Sequence, residues 1–142
     1  GGNAGGIFLG ELADMTSTDA AAIYVGLNIV LLVALGARVV ARRIAAGVSI
    51  GDGGDEELSL RIRSHGNASE YVPAFLVGLF MSAALGLAVW LVHLYGLMFT
   101  AGRVAHAWGL SKTVVRARQA GMVATWTAML LVAGALVYQG IS

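Results

Sequence analysis

Four apolar stretches, each about as long as a helix that crosses a bilayer, take up most of this 142-residue chain. A hydrocarbon core about 30 Å thick calls for roughly 20 apolar residues per helical span. The spans read from the sequence are 20–44, 58–85, 87–108 and 113–139. With 58% hydrophobic and 12% charged residues, the chain is far more apolar than a soluble domain of similar length. The segments between the spans leave no room for a separate catalytic domain, so any chemistry belongs to the bundle. The expected fold is an all-α integral membrane protein, a four-transmembrane-helix antiparallel bundle.

Charge then orients the bundle. The nine basic residues are Arg38, Arg42 and Arg43 at the end of the first span, Arg61 and Arg63 at the start of the second, Arg103 near the end of the third, and Lys112, Arg116 and Arg118 leading into the fourth. On antiparallel helices these ends coincide. The opposite side has no Lys or Arg, and its acids are Glu11, Asp14 and Asp19. The positive-inside rule therefore places the basic face in the cytoplasm and both termini outside, periplasmic in a bacterial inner membrane. Such a face suits an anionic solute, anionic lipid headgroups or both.

Boundary signals agree with this topology. Thr16, Ser17, Thr18 and Asp19 offer N-caps for the first span, and the Gly-rich, acidic stretch 47–57 reads as a cytoplasmic loop. Gly86 and Gly109 are read as the other two turns, short enough to force antiparallel neighbours. Residues 1–15 are expected to be an appended remnant or a disordered extension, with one domain over 16–142. The chain has no cysteine, so a thiol nucleophile would have to come from a ligand. Zinc-ligand spacing, phosphate loops, nucleophile elbows and nucleic-acid motifs are not found; neither a metal nor a nucleic-acid partner is expected. Four spans without an inverted repeat also give little basis for a transporter.

The most specific signal lies in the second span. Arg63, Asn67 and Glu70 follow an i, i+4, i+7 spacing, which puts them within about 60° of one another on a helix. A carboxylate at membrane depth costs about 2.5 to 3.5 kcal/mol unless paired, so Glu70 is expected to have a partner, with Arg103 the best placed. An Arg, an amide and a carboxylate together suit a zwitterionic or peptide-like ligand. Pro73, on the same helix, is expected to kink it, free the Ser69 carbonyl and widen a crevice there. Spacing alone leaves two readings open, a polar staple between helices or a ligand site. Asn28, within the first span, is expected to bond across helices. Trp90, Tyr95, Trp108, Trp126 and Tyr138 are read as including interfacial anchors.

The segment RIRSHGNASEYVP, residues 61–73, resembles the second-helix motif of the MAPEG family, membrane-associated proteins of eicosanoid and glutathione metabolism. GRVAHAWG, residues 102–109, is similar to the family's third-helix G-R-x-x-H segment, and RARQAGM, residues 116–122, to the start of its fourth helix. GDGGDEEL, residues 51–58, looks most like the family's small bacterial inner-membrane branch. The resemblance implies a homotrimer that binds glutathione between subunits near the cytoplasmic leaflet. It implies that Arg63 and Asn67 hold the tripeptide's polar ends, and that Glu70 meets its amino group or locks Arg103. Arg103 and His106 would line the same crevice with Phe99 and Leu110. Arg38 and Arg42 would close it over a carboxylate, although interfacial snorkelling also explains them. His65 matches a family position but lies about 200° round the helix from Arg63, so interfacial packing or contact with a neighbouring subunit is expected.

The implied chemistry is conjugation of glutathione, as co-substrate, to apolar electrophiles that arrive from the lipid, with hydroperoxide reduction alongside. Free thiols ionise near pH 8.5, and a facing cation lowers that value. Arg118 is the expected thiolate stabiliser and Arg116 the alternative; both also fit a role as cytoplasmic anchors. Leu110 and Met122 stand near positions where some eicosanoid-forming members carry tyrosines, which argues against that specialised chemistry. From another class comes the alternative of a non-catalytic membrane scaffold or lipid-binding protein that keeps the fold.

Overall fold

The computed structural model describes residues 14–142, and the expectations for the first thirteen residues lie outside the described residues. Four helices are described: α1 (Ser17–Ala46), α2 (Glu56–Ala84), α3 (Val89–Ser111) and α4 (Val115–Ile141). At about 1.5 Å per residue each is long enough for a 30 Å hydrocarbon core. α1 and α4 are also apolar enough to qualify on composition alone. α2 and α3 fall short of that apolar threshold.

The helix ends differ from the sequence reading by one to three residues, for identifiable reasons. α1 starts early because Thr16 and Asp19 form a reciprocal capping box, with N–H to side-chain oxygen distances of 3.0 and 3.2 Å. It ends at Gly47 in the left-handed conformation, φ 67°. Asp55 caps α2 by accepting the Leu58 N–H at 2.7 Å, so two charged residues, Glu56 and Glu57, enter its first turn. Gly86, φ 91°, makes the α2–α3 turn as expected. Gly109 does not make the next one. It is buried within α3, and the turn is Lys112–Val114, with Thr113 at φ 56°. Met15, assigned from sequence to the outlying segment, packs against the core.

α3 and α4 make the most extensive contact, α2 touches all three partners, and α1 and α4 do not meet. The core centres on Phe75 of α2 and Phe99 of α3, stacked at 3.8 Å between ring centroids, with Tyr24, Val72, Leu79 and Val132 around them. Large apolar side chains point outward on every helix, among them Val33, Val77, Leu97 and Leu130, a surface that suits lipid rather than water. Asn28 bonds across helices as expected, donating to Thr100 Oγ1 at 2.8 Å. Of the five aromatics, Trp90, Trp108, Trp126 and Tyr138 are exposed, whereas Tyr95 is buried and belongs to the core.

All nine basic residues do gather at one end, which is cross-braced. Arg42 forks onto the Asp55 carboxylate at 2.6 and 3.1 Å and reaches Glu57 at 3.3 Å. Arg61 pairs with Glu57 and donates to the Arg38 carbonyl at 2.7 Å. Arg43 holds the loop through the Gly51 carbonyl at 2.8 Å.

Candidate functional site

At this basic end three helices each contribute one i, i+4 pair to a single crevice of about 270 Å³: Arg63 and Asn67 from α2, His106 and Leu110 from α3, Arg118 and Met122 from α4. The spacing places both members of each pair on one face of their helix. Two arginines, a histidine and an amide supply its polar groups, and among the described residues no carboxylate lines it. The arrangement is suited to an anion.

A second hollow, about 390 Å³, adjoins the first on the outward side of α4 and shares His106, Arg118 and Met122 with it. Its remaining walls are Gln119, Val123 and the exposed Trp126. His106 and Arg118 therefore stand between a polar crevice and a mainly apolar groove. Both volumes fall in the few-hundred Å³ range of small-molecule sites.

Arg103 lies behind the crevice rather than in its wall. It is 1% exposed and donates from Nη1 to Asn67 Oδ1 at 2.8 Å and to the Asn67 carbonyl at 3.4 Å. Nη2 reaches Met122 Sδ at 3.4 Å, and the guanidinium sits 5.4 Å from the centroid of the Tyr71 ring. The expected Glu70–Arg103 ion pair is not formed within the chain. Arg103 is turned inward to Asn67, whereas Glu70 is exposed on α2 and in no ion pair among the described residues.

Other expectations are also redirected. Arg42 is held by Asp55 and Glu57, and Arg38 donates to Ser111 Oγ at 3.0 Å; neither lines the crevice. Arg116 is exposed outside it, leaving Arg118 as the fourth-helix cation in the wall. Phe99 belongs to the core stack. His65 turns to α1 of the same chain, with Nε2 3.4 Å from where a Cβ on Gly36 would stand. Pro73 lies within a continuous α2, about one and two-thirds turns beyond Asn67 and outside the lining. Among the described residues no three His, Asp or Glu side chains gather as metal ligands.

The groove residues Gln119, Val123 and Trp126 were not read from the sequence as part of a site. Their i, i+4, i+7 spacing with Met122 between is a signal in the sequence, but from Ala120 onward α4 is almost wholly apolar and offers little contrast.

Two curated relatives extend the comparison: the inner membrane protein YecN of Escherichia coli strain K12 and that of E. coli O6:H1 strain CFT073. Each is 41% identical over 110 residues, covering 78% of this chain and 84% of the relative. A family model matches residues 21–138, which take in all four helices but for the first turn of α1 and the last residues of α4, and the whole crevice. The chain belongs to the MAPEG family.

Proposed function

We propose that this protein is a membrane-embedded, glutathione-dependent transferase that joins the glutathione thiolate to apolar electrophiles and reduces lipid hydroperoxides alongside. One observation carries the reading: Arg118 and His106 face both the donor-rich crevice and the apolar groove on α4. A conjugating enzyme needs such a junction, because its anionic nucleophile and its lipophilic acceptor come from different solvents. In this reading glutathione enters the crevice from the cytoplasm and is held by Arg63 and Asn67, with His106 beside its sulfur. The Arg118 guanidinium stabilises the thiolate. The acceptor slides in along Gln119, Val123 and Trp126 from the bilayer. Sulfur attacks its electrophilic carbon: in a substitution the carbon–halogen bond breaks, halide leaves and the thiol proton goes to solvent, whereas in an addition the carbon–carbon π bond breaks and a proton is taken up at the neighbouring carbon of the product. With a hydroperoxide, two glutathiones give the alcohol, water and the disulfide.

Membership in the family supports this reading, as does the surface of α2. Arg63 and Glu70 are exposed on one stripe of a membrane helix, where lipid is a costly neighbour. A homotrimer that closes over that stripe would shelter both charges and complete the site, with both termini periplasmic. Calorimetric titration with glutathione, followed by ultraviolet absorbance of the bound thiolate and turnover of an apolar aryl halide, tests the proposal. Saturable binding, thiolate formed below pH 8.5 and turnover are expected. A protein that binds no glutathione is instead a scaffold.

A further inference from the structure

We propose that Arg103 is a positioning residue: it fixes the Asn67 side chain so that its N–H₂ end rather than its oxygen faces the crevice, and the crevice therefore reads the oxygens of an anionic group at that point. The inference rests on the crevice being a ligand site, as above, but concerns what its wall selects.

A guanidinium has five N–H donors and no acceptor. The Asn67 amide, 2.8 Å from Arg103 Nη1, meets it through oxygen; an inverted amide would set donor against donor. With Oδ1 committed, Nδ2 is left over, and it has no hydrogen-bond partner among the described residues although Asn67 lines the crevice. An unrestrained asparagine offers either end to a ligand. This one offers donors, alongside the guanidinium groups of Arg63 and Arg118. A carboxylate or carbonyl oxygen is met by hydrogens at all three, whereas an ammonium finds no acceptor at any of them. Arg103 adds a second effect. It is buried with only neutral partners, the amide, a thioether and a phenol ring, so its charge is little screened and raises the positive potential behind the wall.

Asn67→Asp separates orientation from packing. The aspartate keeps the size and the oxygen that Arg103 holds, gives the buried guanidinium a counter-charge, and replaces the crevice-facing N–H₂ with a second carboxylate oxygen. The purified full-length protein in detergent is compared with this variant in two assays: calorimetry with glutathione, and thermal unfolding with sodium sulfate against chloride at equal ionic strength. Asn67→Asp is expected to keep or raise the thermal midpoint, to weaken glutathione binding by about tenfold or more, and to lose the extra midpoint shift that sulfate gives the wild type. Arg103→Lys, still a pure donor, should bind within a few-fold of wild type.

Undiminished glutathione binding by Asn67→Asp would overturn the inference while leaving the transferase reading intact. A sulfate shift that Asn67→Asp abolishes, in a protein that binds no glutathione, would support the anion-reading wall and remove the transferase. A lowered midpoint in Asn67→Asp would overturn the pairing with Arg103. A wild type that responds to neither probe would overturn both readings.

Discussion

Gly109 of α3 comes so close to α4 that a Cβ on it would stand 2.5 Å from the backbone nitrogen of Arg118. The counterpart lies on the other helix, where a Cβ on Gly121 would stand 2.5 Å from the backbone nitrogen of His106. Both obstructing atoms are main chain, so no rotamer change relieves them. These two glycines therefore set the relative position of the two residues shared by the crevice and the groove. Gly109→Ala is expected to push α3 and α4 apart, to destabilise the bundle by about 1 to 3 kcal/mol, and, if the bundle is the proposed transferase, to lower kcat as Arg118 moves away from the thiol. Thermal unfolding in detergent and steady-state kinetics measure the two effects; a variant with wild-type midpoint and kcat would mean the contact is looser than described.

Thr113 offers the opposite kind of change. It holds φ 56° in the tight turn before α4, a conformation disfavoured for a β-branched residue. It also lines a small hollow with Leu110 and Arg118. Thr113→Asn suits the left-handed region better and should raise stability by about 1 kcal/mol. A lower midpoint would show that the Thr113 hydroxyl, which donates to the Lys112 carbonyl at 2.7 Å, outweighs the strain.

What the sequence reveals here depends on whether a signal needs rotation about a helix axis to be decoded. Span number, antiparallel order and the basic end follow from apolar length and charge position, which do not depend on rotation. Arg63, Asn67, His106 and Arg118 line one crevice; each is polar in an apolar helix and stands near the same depth. The Glu70–Arg103 pairing fails on the same criterion: depth and charge matched, but α3 turns Arg103 inward to Asn67 while Glu70 faces out. Gly109 shows a second limit, since a glycine required for close backbone approach looks the same in sequence as one required for a turn.

Asp55 makes the basic end sensitive to acid. Its carboxyl is held below the ordinary carboxylate range, first by the Arg42 guanidinium and then by the Leu58 N–H. A depressed value in the folded state means that the pair's contribution is fully present above the unfolded value, about 3.9, and is lost as pH falls through the folded one. Acid unfolding followed by circular dichroism should therefore be steeper below about pH 4 in wild type than in Asp55→Asn, which keeps a capping oxygen but no charge. Superimposable acid limbs would mean that the pair contributes nothing to the fold.

Activation of the thiol is where the assignments at the fourth helix are most exposed. Arg118 borders both hollows, whereas Arg116 borders neither. If the Arg118 guanidinium stabilises the thiolate, Arg118→Leu should raise the bound thiol's pKa toward the free value near 8.5. The conjugation rate at pH 7 would then fall in proportion to the lost thiolate, and the profile would shift upward. Glutathione affinity should change much less, because a contact that matters chiefly to the ionised sulfur acts on kcat more than on binding. Arg116→Leu should leave both the ultraviolet thiolate titration and the rate profile unchanged. A shift in Arg116→Leu but not in Arg118→Leu would mean that the assembled site turns α4 differently. If neither variant shifts the profile, the cation facing the sulfur comes from elsewhere, and the remaining exposed guanidinium in the crevice wall is Arg63.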